Sequence, residues 1–134
     1  MSTPENPLDK YRKRASPGGY KAFQAAETPV PRLYLQARAA EAKEAPSYAY
    51  LRNMTTDGFG DMIALSFGDV MRVKLAGKNL EALFEALLLQ RVQWIKVYEP
   101  EYDGEITDEA APVVVTMEID AFRDRPPAGQ ETAH

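Results

Sequence analysis

The chain has no cysteine and a single histidine, His134, its last residue. The first absence excludes disulfides, thiolate catalysis and cysteine-ligated zinc or iron–sulfur centres. The second leaves no internal histidine to activate a serine or to share a metal with another histidine. Acid–base chemistry would fall to Asp, Glu, Lys or Tyr. Long apolar runs are also missing. No stretch approaches the ~18 residues of a membrane span. The opening MSTPENPLDKYRKR has charges with no apolar run behind them, so no signal peptide is predicted. These absences predict a cytoplasmic protein with no membrane partner.

What is present fits one modest domain. The chain is 134 residues long and 45% hydrophobic, enough for one core. Its net charge of −4 is uneven: +3 over residues 1–44, +1 over 45–98 and −8 over 99–134. A basic front and an acidic end can attract each other within a chain or between chains. Prolines and glycines crowd towards the ends. Residues 1–31 read as a flexible basic arm broken by Pro4, Pro7, Pro17, Gly18, Gly19, Pro29 and Pro31. Residues 32–122 read as a single α+β domain and 123–134 as a flexible tail. On this division, removing residues 1–27 leaves the fold intact.

Within the domain, RLYLQARAAEAKEA (32–45) is rich in helix formers. Leu33, Leu35 and Ala37 nevertheless alternate as in a strand, so both readings stay open. SYAYLRNM (47–54) alternates and reads as a strand, and TTDGFGD (55–61) as a turn. MIALSF (62–67) and VMRVKL (70–75) form a hairpin. A two-residue loop would mix Ile63, Leu65 and Phe67 with Arg72 and Lys74 on one face. Pairing Phe67 with Met71, Leu65 with Val73 and Ile63 with Leu75 gives a wholly apolar face, so a three-residue loop or a bulge near Gly68 is predicted. Asn79 is the expected N-cap of a helix whose stripe is Leu80, Leu83, Phe84, Leu87 and Leu88, with Leu89 nearly opposite. VQWIKVY (92–98) and PVVVTMEIDAF (112–122) are strands joined by an acidic loop.

The expected fold is therefore α+β: a mostly antiparallel sheet of four to five strands, one main helix on one face, an N-terminal helix if 32–45 is helical, and disordered tails. The helix side should carry Ile63, Leu65, Phe67, Met71, Val73, Leu75, Ile95, Val97, Val113, Val115, Met117 and Ile119. The other side should carry Ala64, Ser66, Arg72, Lys74, Val92, Trp94, Lys96, Tyr98, Val114, Thr116, Glu118 and Asp120.

No motif carries chemistry. Glu99, Glu101, Asp103 and Glu105 around Gly104 partly match a calcium loop, but Ala110 stands where its bidentate Glu belongs. AGKN (76–79) lacks the GxxxxGK[ST] of a phosphate loop. Glu118 and Asp120 beside Arg72, Lys74 and Lys96 fit cross-strand pairing on a solvated face. No catalytic, cofactor or metal residue is named. The reading is a non-catalytic interaction or accessory protein that self-associates, plausibly as a homodimer, with Ala82, Ala86, Leu89, Trp94 and Tyr98 as interface candidates. The alternative is a module for single-stranded nucleic acid or another polyanion, gripping with Lys10, Arg12, Lys13, Arg14, Lys21, Arg72, Lys74 and Lys96 beside the aromatic rings. Its pI of about 5.1 counts against that alternative. A small-ligand or metal-dependent enzyme is the least favoured option.

Overall fold

A computed structural model describes residues 19–38, 41 and 43–122. The elements in chain order are β1 (Phe23–Ala25), β2 (Tyr34–Gln36), a single 3-10 turn (Tyr48–Tyr50), β3 (Asn53–Thr56), β4 (Met62–Phe67), β5 (Met71–Lys78), α1 (Glu81–Leu88), β6 (Val92–Lys96), α2 (Pro100–Asp103) and β7 (Val113–Ala121). The class is α+β with one main helix. The strands form two sheets, of order β1-β6-β2 and β3-β4-β5-β7. Only the β2–β6 pair is parallel.

The hairpin has the expected register. Phe67 faces Met71, Leu65 faces Val73 and Ile63 faces Leu75, around the loop Gly68-Asp69-Val70. β4 alternates buried and less buried residues throughout, and β5 does so from Met71 to Leu75; a slip by one residue would turn these apolar side chains outward. One core joins the two sheets. Ile63, Leu65, Phe67, Met71, Val73 and Leu75 meet Leu33, Leu35, Val92, Ile95 and Val97, and α1 adds Leu80, Leu83 and Leu87. Past β6, the Tyr98 N–H donates to Val114 O at 2.8 Å, tying the three-stranded sheet to β7.

Several expectations are corrected. The single sheet of four to five strands is two sheets of three and four. None of the described residues in 32–45 is helical; the segment supplies β2. Alternation wins there because Leu33 and Leu35 are fully buried and Ala37 nearly so. Burying one Leu is worth roughly 1.5–3 kcal/mol, whereas helix propensities differ by only about 0.7 kcal/mol per residue. Residues 19–31 are not outside the fold: β1 pairs with β6, and Ala22 is buried. Tyr48–Tyr50 is a 3-10 turn rather than strand, and β3 begins only at Asn53.

Two irregularities reverse faces. On β7, Thr116 faces Ala76 while Val114 faces Gly77, leaving Val115 unopposed. Val114 therefore turns inward to full burial, and Val115 is 44% exposed. A Cβ on Gly77 would lie 1.8 Å from Val113 O, so this bulge requires glycine. On β6, Trp94 faces Gln24 and Val92 faces Ala25, so Gln93 is skipped and Val92 turns into the core.

Asn79 does not cap the helix. Its backbone is left-handed at φ 56°, the N-cap position is Leu80, and no side chain caps it. At the other end the Gln90 N–H donates to Leu87 O at 3.0 Å and the Arg91 N–H to Ala86 O at 3.1 Å. With Gln90 at φ 57° this is a Schellman closure. It stops α1 after two turns and leaves Leu88 58% and Leu89 54% exposed.

Candidate functional site

The three-stranded sheet has an inner face of Phe23, Ile95 and Leu35, which share one register row, with Ile95 and Leu35 fully buried. Strand alternation places the neighbouring rows on the opposite face. There Trp94 lies between Gln24 on β1 and Tyr34 on β2, and Lys96 lies beside Gln36. Tyr34 is 40% exposed and Trp94 half-buried. Above this face opens a cavity of about 530 Å³ lined by Tyr20, Lys21, Gln24, Gln36, Trp94, Lys96 and Asp103, with Gly19 at its rim.

The polar groups of the cavity largely satisfy one another. Lys96 Nζ is paired with Asp103 Oδ1, and Asp103 Oδ2 accepts the Glu99 N–H at 2.7 Å. The single turn of α2, opened by Pro100, places that buried carboxylate. Lys96 Nζ also stands 5.6 Å from the Tyr20 ring centroid. The Tyr20 hydroxyl donates to Lys96 O at 2.5 Å and accepts the Val114 N–H at 3.1 Å, clamping β6 to β7. Burial drives the Tyr20 phenol pKa far above its ordinary value. Lys21 Nζ donates to Gln24 Oε1 at 2.5 Å, which leaves that ammonium two further donors.

The interface candidates are not brought together. Tyr98 packs edge-on against Tyr20, with centroids 5.1 Å apart, and its hydroxyl donates to Gly104 O. It is a buttress behind the cavity rather than part of the Trp94 row. Ala86 is partly buried against the core, whereas Ala82 and Leu89 are exposed, with Leu88 exposed beside Leu89. The basic candidates divide as well. Lys21 and Lys96 line the Trp94 cavity, whereas Arg72 and Lys74 belong to the four-stranded sheet, in register with Asp120 and Glu118. The Arg72 guanidinium sits 5.3 Å from the Phe122 ring centroid. Lys10, Arg12, Lys13 and Arg14 lie outside the described residues.

Three cavity residues, Tyr20, Gln24 and Gln36, escape a sequence reading, as does Tyr34. For Tyr20 and Gln24 the one signal is that YKAFQAAET (20–28) is free of proline and glycine and holds two aromatic residues. In the acidic loop, Asp103 turns to Lys96 and the Glu99 N–H rather than to a shared centre. Among the described residues, no three of His, Asp and Glu are grouped to hold a metal ion, and no helix is long and apolar enough to cross a membrane. No protein-family model matches the sequence, and no curated protein or solved structure matches it significantly.

Proposed function

We propose that the chain is a non-catalytic interaction module that self-associates through the open face of its three-stranded sheet. The carrying observation is the row Gln24–Trp94–Tyr34, two large rings side by side on a face whose reverse side is the core. Tryptophan and tyrosine are the residues most enriched where binding energy concentrates. A small domain with an uncovered aromatic face gains stability by association. The neutralised Lys96–Asp103 pair suits a protein partner, because a polyanion gains little from a lysine already paired.

Light scattering of the eluting protein tests this. The wild type should exceed its 15.0 kDa chain mass. Trp94→Ser should fall to it with a native far-ultraviolet spectrum, and Leu89→Glu should keep the wild-type mass. A folded Trp94→Ser protein of undiminished mass would sink the proposal.

One observation favours a second reading, binding of single-stranded nucleic acid. Gly19, Tyr20 and Lys21 line the Trp94 cavity, and the basic run Lys10–Arg14 precedes them in the sequence. Fluorescence anisotropy with a labelled single-stranded oligonucleotide separates the two. This reading requires binding that weakens with salt and is lost in Trp94→Ser; the first requires none.

A further inference from the structure

The loop between β3 and β4 holds Phe59 82% exposed, the most exposed large apolar side chain among the described residues. Its backbone is nonetheless fixed. Asp57 Oδ1 accepts the N–H of Phe59 at 3.0 Å and that of Asp61 at 3.3 Å. Gly58 and Gly60 take left-handed conformations at φ 84° and 80°. The Leu80 N–H donates to Gly60 O at 2.8 Å, seating the loop against the start of α1. A Cβ on Gly60 would come within 3.2 Å of Glu81 Cγ, so the contact is close. The loop thus holds out a phenyl ring, flanked in sequence by Asp57 and Asp61, at small further entropic cost, the property of a preorganised anchor.

We propose that Phe59 of one copy inserts into the Trp94 cavity of a second copy. This rests on the self-association reading above and names the element that fills its site. The cavity has the matching properties. Its walls include the Trp94 and Tyr20 rings, which pack favourably against a third ring edge-on or offset. At about 530 Å³ this open depression has room for a phenyl ring. Lys21 at the rim retains donors for Asp57 or Asp61, while Lys96 and Asp103 neutralise each other. The depression on the outer face of the four-stranded sheet fits less well. It is smaller, about 270 Å³, and although Arg72 and Lys74 line it, Glu118 does too and no aromatic ring does.

Complementation decides the matter. Phe59→Ser keeps an intact cavity and Trp94→Ser keeps an intact anchor. Each alone should elute at the monomer mass, and an equimolar mixture should recover a one-to-one complex through the one remaining anchor–cavity pair. Trp94 is the only tryptophan, so its emission should shift on dilution of the wild type and stay constant in Phe59→Ser. Lys21→Glu, a milder change, should weaken association roughly tenfold by replacing attraction with repulsion. If Phe59→Ser keeps the wild-type mass while Trp94→Ser is monomeric, self-association stands and the anchor is overturned. A mixture that stays monomeric also overturns it. A monomeric wild type removes both readings.

Discussion

Asn79 shows how one residue can be placed correctly and assigned the wrong task. It does precede the helix, as an N-cap would, yet its amide reaches away from α1 to donate to Glu109 O at 2.9 Å and Ala111 O at 3.0 Å. It pins the acidic loop to the β5–α1 turn, and its left-handed backbone is one that Asn tolerates better than most residues. Asn79→Ala should lose those bonds and add backbone strain, costing about 2 kcal/mol. Asn79→Gly should lose the bonds alone and cost about 1 kcal/mol. Urea midpoints of the two variants check this; a cap would cost Asn79→Gly only about a few tenths of a kcal/mol, because glycine is itself tolerated at an N-cap. Gln90 is the counterpart at the other helix end, a left-handed residue of a type that does not announce a helix stop.

At the scale of elements, β6 organises the three-stranded sheet. It is flanked by two strands of three residues each, one antiparallel and one parallel. Such strands are too short to declare themselves by alternation. Two phenols fix β6 at its ends: the Tyr48 hydroxyl donates to Val92 O at 2.8 Å, and that of Tyr20 to Lys96 O. Removing residues 1–18 should therefore leave the denaturation midpoint unchanged, since none of these contacts is lost. Removing residues 1–27 deletes Tyr20, the buried Ala22 and all of β1, and exposes one edge of β6. The second truncation should lose roughly 3 kcal/mol or more. Equal midpoints for the two truncations would place β1 outside the cooperative unit.

For the molecule as a whole, the buried phenols set its response to alkali. Burial raises the pKa of both Tyr20 and Tyr48 well above the ordinary value near 10, outweighing their backbone hydrogen bonds. The unfolded chain therefore loses these protons first. Stability from this source is fully present below about pH 10 and falls as pH rises above it, because the folded state then holds more protons than the unfolded state. Chemical denaturation across pH 8 to 11, approximately, should show a plateau and then a decline, and Tyr20→Phe or Tyr48→Phe should flatten the decline. Tyrosinate absorbance should report Tyr20 and Tyr48 titrating only as the protein unfolds.

The sequence by itself determined what depends on neighbours along the chain. The β4–β5 register followed from keeping Arg72 and Lys74 off the face of Ile63, Leu65 and Phe67. The short amphipathic helix followed from Leu80, Leu83, Phe84 and Leu87, although Leu88, read on the same stripe, is exposed; the α+β class followed from the strands around it. The tertiary structure alone decided what depends on distant partners. One skipped residue on β7 and one on β6 exchanged the faces of Val114, Val115 and Val92, because a two-residue period transmits any insertion to every residue beyond it. Residues 32–45 became strand because Leu33 and Leu35 found the core, a gain that local propensity cannot register. The Trp94 cavity draws on residues from 19 to 103. Its two lysines could be read as basic and its tryptophan as aromatic, but their common cavity, and the separation of Arg72 and Lys74 from it, follow only from how the strands divide between two sheets.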